Sequence, residues 1–161
     1  MANWPSDDVF FPICTPLIKQ WEGLKLTPYL DSVGVPTIGW GTIRYPDGKA
    51  VTMHDPEITQ EYAETCLRFE MKSKSAGLSH ALTRMPTTHQ AGAMLSLTYN
   101  IGLPAFQTST VLRKFNLGDI QGAADAFLMW NKGRVDGELV VIAGLTNRRN
   151  AERTFFLTAD A

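Results

Sequence analysis

The chain has 161 residues, is 44% hydrophobic and 19% charged, and carries a formal net charge of −1. That length suffices for one well-cored domain or two small lobes sharing a core, and the composition is that of an ordinary soluble globular protein. A charge so near zero gives no whole-molecule attraction to a polyanion, which removes nucleic acid as a first reading. Met1 to Asp8 has neither the basic nor the apolar region of a secretory signal. The longest apolar run, Leu139 to Ala143, is far too short to span a bilayer. Stable membrane insertion is not expected. The protein should therefore accumulate in the cytoplasm, so a substrate outside it would require a separate route of release. Cys14 and Cys66 lack metal-ligand spacing. They read as buried free thiols, with a single bridge formed after release as the alternative.

Residues 1–14 read as a short polar arm followed by an apolar docking segment, Val9 to Ile13. Thr15-Pro16 then reads as a helix start, with Thr15 as N-cap and Pro16 at the first helical position. Leu17, Ile18 and Trp21 supply an apolar stripe, Glu22 stands at the helix end, and Gly23 occupies the place of a left-handed cap. Asp31-Ser32-Val33-Gly34 signals a turn, and Val35 to Tyr45 has strand character interrupted by Gly39 and Gly41. A second turn at Pro46-Asp47-Gly48 predicts a further hairpin, giving three antiparallel strands. Asp55-Pro56 opens a long helix expected to run to about Ser75, with Gly77 available to end it. From Thr87 onward the pattern is helical: Thr88 to Tyr99, Ser109 to Phe115, Ile120 to Trp130 capped by Asp119, and a C-terminal segment from Val140 to Leu157. The fold class is α+β and mainly helical.

Two carboxylates and a hydroxyl within the first hairpin region carry the chemical signal. Glycosidic cleavage needs an acid to protonate the leaving oxygen and a second carboxylate across the bond. Glu22, at the negative end of a helix dipole and next to Trp21, is expected to have its ionised form disfavoured. Asp31, in a polar turn, is expected to stay ionised, and Thr37 could hold a water beside it. The competing reading of Glu22 is a solvated helix-end residue. Other carboxylate pairs exist at Asp7/Asp8, Asp55/Glu57 and Asp136/Glu138, and these read as arm, helix-start and turn residues.

Glu22-Gly23, Tyr29-Leu30-Asp31 and Thr37-Ile38-Gly39-Trp40-Gly41 together resemble the Glu–eight–Asp–five–Thr signature of the T4-type phage lysozymes, glycoside hydrolase family 24. The resemblance extends through Leu97 to Gly102, Ser109 to Lys114 with Gly118-Asp119, Trp130, and Gly144-Leu145 with Arg148, Arg149 and Glu152. It implies one lysozyme-like domain. A sheet-containing lobe would span about residues 15–55, a connecting helix 56–76, and a helical lobe 77–161 with the arm 1–14 packed on it. It also implies a muramidase acting on the β-1,4 bond between N-acetylmuramic acid and N-acetylglucosamine of peptidoglycan. Glu22 would be the acid, Asp31 the assisting or stabilising carboxylate and Thr37 the water-positioning residue, with Ile43, Tyr99 and Asn100 lining the substrate site. The family's usual outcome is inversion, which implies carboxyl groups about 6.5–9.5 Å apart. Many members have histidine where this chain has Thr42. His54, His80 and His89 do not replace it and read as surface or satisfied structural histidines.

The alternatives are a lytic transglycosylase using Glu22 alone and a non-catalytic peptidoglycan-binding module. The expected partner is the glycan strand, with release by a holin; no metal or organic cofactor is suggested, and a monomer is expected. The basic group Arg148, Arg149 and Arg153 reads either as a solvated helix face or as an attractor for anionic wall or lipid.

Overall fold

The computed structural model describes residues 4–161. The first three residues of the expected polar arm lie outside the described residues. The described chain forms α1 (Asp7–Glu22), β1 (Lys25–Leu30), β2 (Pro36–Gly39), α2 (Gln60–Ala81), α3 (Thr88–Ile101), α4 (Leu103–Gln107) and α5 (Thr110–Asn116). It continues through α6 (Ile120–Ala126), a 3-10 turn at Phe127–Met129, β3 (Lys132–Val135), β4 (Glu138–Val141) and α7 (Ala143–Phe156). Two compact units result: Ile18–Ser73, and the N-terminal residues through Leu17 together with Lys74–Ala161.

Several elements depart from the sequence reading. The first helix begins at Asp7, with no break at Thr15-Pro16, so most of the expected arm is helical. The Ser6 carbonyl accepts from the Val9 and Phe10 amides, and Asp7 and Asp8 in the first turn complement the helix dipole. Pro12 and Pro16 each remove an interior hydrogen bond, a cost of about 3 kcal/mol apiece in an exposed helix. Burial of Phe10, Cys14, Leu17 and Ile18 along one stripe outweighs that cost. The three-stranded sheet is reduced to the pair β1–β2; beyond it, only isolated bridges Ile38↔Thr42 and Arg44↔Ala50 form. The turn at Pro46–Gly48 does form, closed by the Gly48 amide on the Tyr45 carbonyl at 2.9 Å.

Asp55 caps no helix. Its carboxylate takes the Thr52 amide and hydroxyl and the Tyr45 hydroxyl, and these bonds hold its pKa below the ordinary value. The helix instead starts at Gln60, where the Tyr62 amide donates to Thr59 Oγ1. At the other end α2 runs through Gly77 to Ala81. A Cβ at Gly77 would stand 2.4 Å from Leu103 Cδ2, so this glycine makes room for a neighbour instead of ending a helix.

The larger unit is built on α3, whose residues from Ala91 to Thr98 are all buried. Thr87 and Gln90 form a reciprocal capping box at its start. Phe156 of α7 meets Phe115 edge-on at 6.3 Å and Phe127 at 5.4 Å. The helical pattern expected from Thr87 onward is interrupted by the hairpin β3–β4, so the last helix begins at Ala143 and not at Val140; the turn Asp136-Gly137 has both residues at positive φ (51° and 82°), the two-residue hairpin signature. Two members of the basic group do not form a solvated face. Arg148 and Arg149 are buried and paired with the fully buried Glu152, and Arg153 pairs with Asp125. Both cysteines are buried free thiols, and burial, together with the Asp160 charge, pushes the Cys14 thiol far upward. Among the described residues no helix is long and apolar enough to cross a membrane.

Two stability predictions follow from this packing. A Cβ at Gly92 would stand 2.3 Å from Cys14 Sγ and 2.9 Å from Phe155 Cε1. Gly92→Ala should therefore cost about 1–3 kcal/mol in a urea melt through overpacking. The second concerns Asp160, which accepts from the Thr88 amide (2.7 Å), the His89 amide (3.2 Å) and His89 Nδ1 (2.7 Å). Burial raises its pKa, but those hydrogen bonds together outweigh burial and hold it below the ordinary value. A lowered folded-state pKa stabilises above the unfolded value and is lost as pH falls through the folded one. Acid destabilisation below about pH 4 should be shallower in Asp160→Asn than in the parent chain, read as the slope of unfolding free energy against pH.

Candidate active site

Glu22 is the last residue of α1 and is half-buried. Gly23, at φ 66°, closes the helix with its amide on the Lys19 carbonyl at 3.1 Å, and β1 begins two residues later. One turn back, Lys19 pairs with Glu64 of α2 and lays its ammonium 4.2 Å over the Trp40 ring. The helix end that presents Glu22 is thereby tied to α2 and to the loop after β2.

The hairpin places the other two residues. Tyr29 stands directly opposite Thr37 and Leu30 opposite Pro36, while the register shifts between Lys25 and Tyr29. Pro28 lies inside that shifted stretch, where a residue without an N–H can be accommodated. Asp31 opens the loop. Its Oδ1 accepts from the Val33 amide at 2.9 Å and the Val35 amide at 2.8 Å, while its own amide donates to the Val35 carbonyl at 3.0 Å. That same Val35 carbonyl accepts from Thr37 Oγ1 at 2.8 Å. One peptide residue therefore holds both side chains: its N–H takes the Asp31 carboxylate, and its C=O takes the Thr37 hydroxyl proton. With that proton committed, Thr37, only 3% exposed, retains lone pairs with which to accept from a water.

Tyr29, the cross-strand neighbour of Thr37, shares a face with it. Lys25 Nζ lies 4.2 Å over its ring. Burial, then the charges of Glu22 and Asp31, raise its phenol pKa, so the hydroxyl stays neutral near both carboxylates. After β2 the chain turns back sharply, Ile38 and Thr42 exchanging both backbone hydrogen bonds at 2.9 and 2.8 Å. Gly39 and Gly41 sit at φ 64° and 77°, and a Cβ on Gly39 would touch Ala63 at 3.4 Å. Thr42 is fully buried, and its Oγ1 has no hydrogen-bond partner.

Glu22, Asp31, Thr37 and Ile43 all belong to the unit Ile18–Ser73, and Ile43 is 47% exposed. Tyr99 and Asn100 belong to the other unit, at the C-terminal end of α3. There Lys74 Nζ lies 5.7 Å over the Tyr99 ring, and Asn100 Oδ1 accepts from Arg149 Nη2. His80 and His89 have backbone or carboxylate partners within 2.7 Å, as structural histidines do. No cluster of three metal-capable side chains exists among the described residues. Residues that the sequence reading missed are Val35, which acts through its backbone, and the Lys25–Tyr29 pair, whose four-residue spacing along a bulged strand signals nothing by itself.

Replacing Asp31 separates architecture from chemistry. Asp31→Ala deletes the acceptor for two amides and should cost about 1–2 kcal/mol while raising hydrogen exchange at Val33 and Val35. Asp31→Asn keeps an acceptor oxygen and should leave that exchange nearly unchanged.

Residues 19–152 match the family model described as phage lysozyme. The chain is 39% identical over 143 residues to an endolysin of Acyrthosiphon pisum secondary endosymbiont phage 1, covering 89% of this chain and 94% of that protein. Among solved structures, an endolysin from Escherichia coli O157:H7 phage FAHEc1 is similar at TM-score 0.84 and 42% identity, over 90% of each chain. The muramidase domain of SpmX from Asticaccaulis excentricus is similar at TM-score 0.77 and 31% identity, over 89% of this chain and 94% of that one.

Proposed function

The chain belongs to the phage lysozyme family, and from that premise we propose that it is an endolysin hydrolysing the β-1,4 bond between N-acetylmuramic acid and N-acetylglucosamine in bacterial peptidoglycan. The observation that carries the reading is the Val35 backbone linking Asp31 and Thr37, because it prepares a carboxylate and a hydroxyl acceptor on one hairpin. The names of the endolysin relatives and of the muramidase domain support the substrate class.

In the proposed mechanism Glu22, protonated, gives its proton to the glycosidic oxygen as the bond to the leaving sugar lengthens. Positive charge then develops at the anomeric carbon, and Asp31, ionised, offsets it. A water accepted by the Asp31 carboxylate and the Thr37 lone pairs attacks that carbon, and Asp31 takes up its proton. Two bonds to Val33 and Val35 keep the Asp31 carboxylate aimed and leave its second oxygen for the water. Inversion at the anomeric carbon follows if the water comes from the face opposite Glu22. Ile43, Tyr99 and Asn100 are proposed to contact the sugar strand. No cofactor is required. Release through a holin's membrane lesion and action as a monomer complete the proposal. Expression without a holin should then leave host cells intact, and early lysis would overturn the release route.

Purified sacculi distinguish this from neighbouring chemistries. Glu22→Gln and Asp31→Asn should each lower kcat by about 10²–10⁴-fold with little change in melting temperature. Thr37→Val should lose much of the activity that Thr37→Ser keeps, since only the hydroxyl acceptor differs in kind. Mass spectrometry of the fragments should find hydrated reducing ends. Anhydro ends, with Asp31→Asn active, would make the protein a transglycosylase. Retention on sacculi without fragments would make it a binding module.

A further inference from the structure

The hairpin β3–β4 of the larger unit takes no part in the proposed chemistry, and its composition is unusual for a water-facing ribbon. Val135, Leu139, Val140 and Val141 are 49%, 58%, 36% and 60% exposed, and Met129, three residues before it, is 63% exposed. Its register pairs Lys132 with Val141 and Arg134 with Leu139. Directly opposed residues share a face, so two cations and two aliphatics stand together on one side of the ribbon. On the other side Gly133 alone closes on the start of α7: a Cβ there would stand 2.5 Å from Ile142 Cδ1 and 4.0 Å from Leu145 Cδ1. The carboxylates are elsewhere, Asp136 in the turn and Glu138 opposite Val135 on the other face, which is exposed at those two residues.

We propose that the Lys132–Arg134–Leu139–Val141 face is a docking surface for an anionic phospholipid bilayer, on which the hairpin lies without crossing it. Aliphatic side chains gain by leaving water at the headgroup boundary, and cations beside them meet lipid phosphates; this is the pairing an interfacial element uses. A glycan strand, rich in hydroxyls and amides, would satisfy the cations but give Leu139 and Val141 little. The ribbon is also preformed. Four residue pairs are in register, and Arg134 Nη1 donates to the Gly137 carbonyl across the turn at 3.0 Å. Binding therefore need not order it. With a whole-chain charge of −1, attraction to such a surface must come from a local patch.

The test is cosedimentation of the full chain with vesicles of phosphatidylglycerol mixed with phosphatidylcholine, and with phosphatidylcholine alone. Expected is binding to the anionic vesicles that falls with added salt. Lys132→Gln/Arg134→Gln should weaken it roughly thirtyfold, the effect of two interfacial cations. Leu139→Ser/Val141→Ser should weaken it at least about tenfold. Hydrolysis of purified sacculi by both variants should stay within about twofold, and circular dichroism should report an unchanged fold. The single exposed substitution Lys132→Gln gives the same direction with less risk to the hairpin. Equal binding to both vesicle types, or no loss in the variants, would overturn the proposal. So would loss of sacculus retention in the aliphatic variant, which would assign the face to the wall. A concentration-dependent dimer in sedimentation velocity that the aliphatic variant abolishes would assign it to a second copy.

Discussion

Glu152 is a charge with no access to water, and the larger unit is arranged to satisfy it. Its two oxygens take Arg148 Nε at 3.0 Å, Ser96 Oγ at 2.7 Å and Arg149 Nη1 at 2.5 Å. The arginines spend their remaining donors elsewhere: Arg148 on the Ser96 carbonyl, Arg149 on the Trp130 carbonyl and on Asn100. A buried ionic group of this kind adds little net stability compared with an apolar core, yet removing one member leaves a stranded charge that costs several kcal/mol. What it provides is register. With the charges matched, α7 has one seat against α3, the chain before β3 is pinned at Trp130, and Asn100 is oriented at the end of α3.

The smaller unit reaches its geometry by another route. The loop that bears Asp31, and Thr37 after it, are held by hydrogen bonds to the backbone of Val33 and Val35. Lys19, shared between Glu64 and the Trp40 ring, restrains the helix end that carries Glu22. Positive-φ glycines at 23, 34, 39 and 41 allow the chain to reverse around these side chains within twenty residues.

Much of this was legible from residue order alone. The cap at Asp119, the turn at Asp31–Gly34 and the left-handed Gly23 are short-range signals, decided by atoms a few positions apart. The failures share a cause. Thr15-Pro16 and Asp55-Pro56 look like helix starts because proline is cheapest there, but burial of Phe10 and Cys14 in one case and the Tyr45–Asp55 bond in the other overrode local preference. Gly77 looked like a stop because Leu103, which requires its missing side chain, is far away in sequence. Arg148 and Arg149 looked solvated because their carboxylate partner is useful only once α7 is buried. The Asp136-Gly137 turn, by contrast, was a readable hairpin signal obscured by the helical context on either side.

Val35 offers a different lesson. Its side chain is exposed and makes none of the bonds described, while its backbone makes three of them. Nearly any amino acid carries the same amide and carbonyl, so residue identity at 35 can drift freely under selection without loosening the loop. Proline is the exception, lacking the N–H that Asp31 requires. The loop thus depends on a position whose side chain is dispensable, because what matters there is the backbone and not the letter.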